Sequence, residues 1–426
     1  MLDTASNRQT DWIERAKGVL PGGGFGNFDP SLVIREGHGA KVVDEDGNEY
    51  IDYLIGSGPM LLGHGHPEVL EAVHAQLSKG MTFFANNAAG IELAEVIVDA
   101  MPCAEQLRYV STGGEADMYA MRLARAHTGR EVIVKFEGGY HGMSADALMN
   151  TFPKGNADYP KAQPDTAGIP AAVQASMRVC PYNDFEYVAD LMAKEGDQVA
   201  AIIVEPLQRI VPPKAGFLQH LRDLADKYGA VLIFDEVVTG FRFSYQGAQG
   251  LYGVTPDLCT LGKTIGGGLP LAAIAGQSEI MRHFDATATD RFVLQIGTLS
   301  GNPLAAVAGL KTLEVLSREG QYERLTQVGL RLQTALSESL SKRQIAHQIV
   351  GEASLFDVVF SDKPIENYRD VARGDAEAAK MFNKVLRDEG ILKSPSKIYP
   401  HLGLSDDDVL KTISAFETAA EHLAAR

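Results

Sequence analysis

The stretch Thr260-Leu261-Gly262-Lys263-Thr264-Ile265-Gly266-Gly267-Gly268, TLGKTIGGG, sets one lysine among small residues with three glycines in a row just after it. A lysine ordinarily lies on a surface with its ammonium in water, because an unpaired buried charge is costly. These flanks offer little polar cover and a backbone free to bend or approach closely. Such a placement makes sense if the amine is a reagent, and the rest of the chain can be searched for its partners.

Lys263 closes the apolar run LCTLGK (258–263), one of five such runs. The others are LRYVS (107–111), EVIVKF (131–136), VAAIIVEP (199–206) and AVLIFDEV (230–237), interleaved with helical patterns at 91–101, 116–128 and 217–228. Near-continuous apolar strands separated by helices predict an α/β fold with a parallel sheet covered on both faces. Upstream, 11–20 reads as a helix ending at Pro21-Gly22-Gly23-Gly24. KVVDEDGNEYIDY (41–53) alternates around Asp46-Gly47 like a hairpin. The Gly-rich IGSGPMLLGHGHP and a helical pattern at 69–79 follow. Beyond about residue 303 the rhythm changes to a long helix (304–342), strands near 349–360, a helix at 374–389, a strand at 391–394 and a helix at 406–424, a smaller α/β unit.

The composition, 45% hydrophobic and 22% charged over 426 residues, is that of a soluble globular chain long enough for two or three lobes. A formal net charge of -16 argues against nucleic acid and anionic membranes as partners. Cys103, Cys180 and Cys259 form no CxxC pair, so neither a metal site nor a disulfide framework is expected, and a reducing compartment fits. Met1-Leu2-Asp3-Thr4-Ala5-Ser6 lacks the basic-then-apolar pattern of a secretory signal. No apolar run approaches the roughly 20 residues that span a bilayer. A cytoplasmic enzyme is expected.

Ligands of parallel α/β sheets collect at the carboxyl ends of the strands, so each exit is informative. VLIF runs into Asp235, either one half of an ion pair or cap, or the partner of a protonated cofactor ring nitrogen. LRYVS runs into Thr112-Gly113-Gly114-Glu115-Ala116 at a helix start, ordinary capping or a phosphate cup. EVIVKF exits into Glu137-Gly138-Gly139-Tyr140-His141-Gly142, where Tyr140 either packs under a loop or lies flat on a ligand ring. IIVEP ends at a second carboxylate, Glu205. An amine, two acids, a phosphate cup and an aromatic face together match the requirements of pyridoxal 5'-phosphate (PLP) held as an aldimine. Gly22-Gly23-Gly24-Phe25-Gly26 invites a dinucleotide reading, but no strand precedes it, and it reads better as a mobile entrance loop.

STGGEA, FEGGYHG, IIVEP, LIFDEVVTGFR, PDLCTLGKTIGGGLP and GTLSGNPLA occur in the order found in class III aminotransferases of PLP fold type I, and the chain resembles that family over nearly its whole length. The resemblance implies a large PLP-binding domain (61–305) with a mostly parallel seven-stranded sheet, and a small α/β domain (306–426) against which the N-terminal segment (1–60) packs. It also implies a homodimer with shared active sites. By motif, Lys263 matches the aldimine lysine and Asp235 the partner of the pyridine nitrogen. Val237 and Tyr140 would flank the ring with His141 beside it, and Gly113 and Gly114 would hold the phosphate. Glu205 belongs to the same cofactor-binding set. The family usually has Ser or Thr where Gly114 stands. Thr298 matches a residue that reaches the neighbouring subunit's phosphate; taken alone it reads as a Gly-flanked turn.

Within the class, GSGPMLLGHGHP, RLARAHTGR and TLSGNPLAAVAGLKTLE are similar to glutamate-1-semialdehyde aminomutases. Those mutases carry a Ser-Pro-Val-Arg-type segment after their N-terminal Pro-Gly-Gly, a glutamate after the C-terminal Pro-Ser, and a longer loop after the Glu-Pro pair. SPSKIYPHLGLSDDD is closer to β-amino-acid aminotransferases. The expected activity is amino-group transfer between a carboxylate-bearing amine, such as a β-amino acid, and an oxo acid. An aminomutase or epimerase is the alternative, and a PLP-binding protein without turnover a third reading. A substrate carboxylate calls for an arginine fork; Arg209 is the first candidate and Arg242 the second, though either could be a structural loop residue. Ser57 could line the substrate side.

Overall fold

The computed structural model describes residues 8–153, 155 and 158–426; residues 1–6, read above for a secretory signal, lie outside these. Helix Arg8–Val19 covers the expected N-terminal helix and stops before Pro21, and the glycines after it form a single 3-10 turn rather than a strand-to-helix phosphate loop. Strands β1 (Ile34–His38), β2 (Lys41–Asp44) and β3 (Glu49–Asp52) make an antiparallel ribbon. Its β2–β3 turn exists because Gly47 takes φ +90° and Asp44 Oδ1 accepts the N–H groups of Asp46 and Asn48.

The principal sheet contains β4 (Gln106–Val110), β5 (Val132–Phe136), β6 (Met177–Cys180), β7 (Val199–Val204), β8 (Val231–Glu236), β9 (Leu258–Leu261) and β10 (Ala272–Gly276), in the order β4-β10-β9-β8-β7-β5-β6. Only β10 runs against its neighbours. Successive residues feed opposite faces: Ile202, Val204, Leu232 and Phe234 enter one core, Ile203, Val231 and Ile233 the other. That is why these strands are apolar at nearly every position instead of alternating. Helix Gly113–Thr128 covers one face through Ala116, Ala120, Leu123 and Ala124. Helices Ala88–Ala100, Phe217–Tyr228 and Pro303–Leu316 cover the other.

Beyond it, the expected helix 304–342 is two helices, Pro303–Leu316 and Gln321–Ser341, parted at Gly320, whose φ of +83° no helix interior accepts. β11 (Gln348–Glu352) and β12 (Leu355–Val359) pair antiparallel, and the short β13 (Ile391–Leu392) adds in parallel to β3. Ile51 and Tyr53 share a core with Leu332, Leu336, Phe382 and Phe416, so both parts of the chain flanking the principal sheet meet there. No described helix is long and apolar enough to cross a membrane.

Candidate active site

β8 and β9 deliver the two central groups side by side, since Asp235 and Thr260 are register partners in the sheet. Asp235 is buried, with Oδ1 accepting the Val237 N–H at 3.0 Å and Oδ2 2.8 Å from His141 Nδ1. Among the described residues no lysine or arginine pairs with Asp235, as an ion-pair reading would require; His141 pairs with it instead. His141 Nε2 is buried with no hydrogen-bond partner among the described residues. Asp117, on helix Gly113–Thr128, lies beneath, and Thr260 Oγ1 is 2.6 Å from its Oδ1 and 3.4 Å from Asp235 Oδ1.

Two residues past β9, Lys263 begins a single 3-10 turn with φ +47°, a left-handed conformation rarely adopted outside glycine. Its ammonium makes no hydrogen bond or ion pair with the described residues, and burial lowers its pKa, with Lys397 and Arg242 adding to the effect against Tyr399 and Asp235. A lowered value raises the share of free, nucleophilic amine. Ile55 and Ser57, just before the Gly58 that abuts Lys263, also have positive φ.

At the β4 exit, Thr112 and Glu115 form a reciprocal capping box that occupies the Ser111, Thr112 and Glu115 N–H groups. The Gly113 and Gly114 N–H groups remain as the first-turn donors outside the cap. Val237 lies over this corner. A Cβ on Gly113 would be 2.6 Å from Val237 Cγ1, and one on Gly114 would be 3.1 Å from Gly142 Cα.

Tyr140 is half-buried and its N–H donates to Glu205 Oε2 at 2.9 Å, so Glu205 anchors the tyrosine's loop. The Arg209 guanidinium lies 5.1 Å from the Tyr140 ring centre and 5.3 Å from that of Phe152. Its Nε donates to Gly138 O at 3.1 Å, and no described carboxylate pairs with it. Arg242 is wholly buried, donates to Val238 O and Gly58 O, and keeps Nη1 without a partner. Burial pushes its pKa down to about 10. Ser57 is exposed, but the adjoining Gly58 is in the site: a Cβ there would be 3.2 Å from Lys263 Cδ and 3.3 Å from Arg242 Nη2. Thr298 stays apart, exposed on a loop beside Phe84, Asn87 and Tyr109.

Residues 26–420 match the family model "Aminotransferase class-III". The chain belongs to the class III aminotransferases. Its similarity to the glutamate-1-semialdehyde 2,1-aminomutase of Neisseria gonorrhoeae (strain NCCP11945) is 43% identity over 92% of both chains. Among solved structures it is similar to an omega-transaminase from Sphaerobacter thermophilus, with 34% identity, TM-score 0.93 and 97% of each chain covered. A beta-phenylalanine aminotransferase from Variovorax paradoxus follows at 29% identity and TM-score 0.87, covering 99% of this chain and 95% of that one. Class III aminotransferases are PLP enzymes, and a solved transaminase of this fold carries the bound cofactor.

The site fits that cofactor. An unpaired buried amine, a buried carboxylate, two free N–H donors at a helix start and a half-buried aromatic converge where the unpartnered His141 Nε2 and Thr264 Oγ1 also lie. Of the residues expected from sequence, Lys263, Asp235, His141, Val237, Gly113, Gly114, Tyr140 and Glu205 come together, with Arg209 and Arg242 at the margins. Sequence reading passed over Asp117 and Tyr399. Asp117 is in the second turn of an amphipathic helix, where a carboxylate carries no local mark of burial. Tyr399 is buried against Arg242, whose Cζ is 5.1 Å from the ring centre. Burial alone would raise the Tyr399 pKa, yet Lys397, Lys263 and Arg242 together bring it below the ordinary phenol value.

Proposed function

We propose that this class III enzyme transfers an amino group between a carboxylate-bearing amine, a β-amino acid among the candidates, and an oxo acid. The observation that carries the substrate class is Arg209, a guanidinium close to the Tyr140 and Phe152 rings with no carboxylate partner among the described residues. A fork positioned by two neighbouring rings and by its Nε bond to Gly138 O is suited to bidentate binding. The likeness to an omega-transaminase and a beta-phenylalanine aminotransferase supports the same reading.

Bound PLP supplies an electron sink for the substrate carbon that bears the amine. Lys263 Nζ would hold the cofactor through its aldehyde, and its free amine would serve as the base that takes the proton from that carbon. Asp235, whose Oδ2 is fixed by His141 Nδ1, would supply the negative charge that keeps a ring nitrogen protonated. The Gly113 and Gly114 N–H groups would hold the phosphate, and Val237 and Tyr140 would border the ring. Arg209 binds the carboxylate. Exposed apolar residues Phe84, Ile91, Leu294, Ile296 and Leu299 support a homodimer through that face, which would carry Thr298 to the partner's phosphate.

The identity with aminomutases favours a second reading, intramolecular transfer. Incubating the holoenzyme with β-amino acids, with and without 2-oxoglutarate or pyruvate, separates the two. Product that requires the acceptor, together with a KM raised about 10-fold to 100-fold for carboxylate substrates in Arg209→Ala, supports the transferase. An isomer formed without acceptor refutes it.

A further inference from the structure

Asp117 and Asp235 are two buried carboxylates that share one hydroxyl, a pairing the cofactor assignment does not require. Thr260 Oγ1 lies 2.6 Å from Asp117 Oδ1 and 3.4 Å from Asp235 Oδ1, while His141 Nδ1 is 2.8 Å from Asp235 Oδ2. Carboxylate and imidazole atoms of Asp117, His141 and Asp235 fall within 4.8 Å of one another. No described lysine or arginine forms a salt bridge with Asp117. We propose that Asp117 is a positioning residue for the cofactor, acting through Thr260 on the carboxylate that faces the ring nitrogen.

The direction of donation follows from a count of protons. If both acids were ionised, the Thr260 hydroxyl could satisfy only one, and two like charges would stand together out of water, which is costly. With a proton on Asp117, its O–H donates to Thr260 Oγ1, and the Thr260 O–H is released to donate to Asp235. The chain then leaves one negative charge, and that charge is on Asp235. Burial, and after it the charge of Asp235, holds the Asp117 carboxyl well above its ordinary range; the Thr260 hydroxyl works against this, and the side-chain contact with Asp235 and the charge of Glu205 work with it. The charged groups facing Asp117 from the sheet are thus Asp235 and Glu205. His141, within 4.8 Å of both acids, faces Asp117 as well, while its Nδ1 is on Asp235.

This inference rests on the assignment of Asp235 above, so the test includes that residue. PLP affinity by equilibrium dialysis, and the pH titration of the holoenzyme's visible absorption band, are measured for the wild type and for Asp117→Asn, Asp117→Leu, Thr260→Val, Asp117→Leu with Thr260→Val, and Asp235→Ala. Asp117→Asn keeps a neutral donor and is expected to titrate as the wild type does. Asp117→Leu and Thr260→Val each break the chain, and each is expected to weaken PLP binding about 3-fold to 10-fold and displace the titration midpoint. The double variant should lose no more than either single one, because both remove the same chain. A midpoint displaced by a full pH unit in Asp117→Asn would show a charged Asp117 and overturn the inference, as would additive losses in the double variant. Unaltered binding in Asp235→Ala overturns the Asp235 assignment and this inference with it. Weakened binding there, with Thr260→Val indistinguishable from wild type, overturns this inference alone.

Discussion

Gly113→Ala tests whether the β4 exit and the residue after Asp235 form one wall of the cofactor site. The added Cβ would stand 2.6 Å from Val237 Cγ1 and 2.8 Å from Cγ2, about 1 Å inside the separation at which carbons attract. Val237 cannot swing freely, because its branched Cβ leaves χ1 stiff and its N–H is tied to Asp235. Overpacking of this kind costs about 1–3 kcal/mol. Val237 is only half-buried, so its open side is the cofactor side, and the relaxation should push its methyls toward the ring. The cost then falls on affinity more than on folding. At about 1.4 kcal/mol per tenfold, PLP should bind roughly 5-fold to 100-fold more weakly while the apoprotein's melting temperature drops by a few degrees at most. Equilibrium dialysis against PLP and a thermal melt of the apoprotein read the two quantities separately. Adding Val237→Ala removes both clashing methyls and should recover part of the lost affinity. Wild-type affinity in Gly113→Ala, or no recovery in the double variant, would refute the geometry.

Lys263→Ala is expected to fold and to bind PLP reversibly, with turnover lost. Borohydride reduction and peptide mass mapping should place the wild-type adduct on Lys263 and find none in the variant. Lys135 is buried, donates to Ala147 O, Met149 O and Thr151 Oγ1, and is pushed by burial to about 7 from an ordinary 10.5. Between those values the unfolded chain holds the proton that the folded chain has released, so stability rises with pH through that window, and below it both states are charged and the burial penalty is complete. At about 1.4 kcal/mol per pH unit the rise is worth up to about 5 kcal/mol. Urea unfolding at pH 7 and pH 9 should show the wild type gaining stability relative to Lys135→Met; a constant difference between the two proteins would mean that Lys135 keeps its proton.

The parts of the fold that sequence reading recovered are those where one local pattern suffices. β5, β7, β8 and β9 are apolar at nearly every position, and both faces of each strand are buried. β10, Ala272–Gly276, was passed over because alanine and glycine carry little strand preference, and only its neighbours β4 and β9 make it a strand. β6 was missed too: Arg178 interrupts a four-residue run and reaches out to Glu195. The chemistry divides in the same way. Strand exits disclosed Lys263, Asp235 and Tyr140, since a parallel sheet sends each exit to one edge. Asp117 and Tyr399 enter the site from a helix and from a distant segment, and nothing in their local sequence marks them as buried.

Gly114 shows how a departure from the family's motif becomes intelligible once tertiary contacts are known. The motif's usual Ser or Thr would add a hydroxyl at the phosphate cup, so glycine there reads as a lost contact. In the folded chain, however, the Gly114 backbone meets Gly142, which has φ +84° and whose own Cβ would be 2.3 Å from Gly114 Cα. Gly142 directly follows His141, the residue that fixes Asp235 Oδ2. Helix Gly113–Thr128 and the Tyr140–His141 loop can approach this closely only because neither glycine carries a side chain. A hydroxymethyl group on Gly114 would wedge that contact open, and the displaced loop would carry Tyr140 and the imidazole on Asp235 with it. Under the proposed cofactor assignment, the glycine would forgo one hydrogen bond to phosphate and keep Tyr140 and His141 in place.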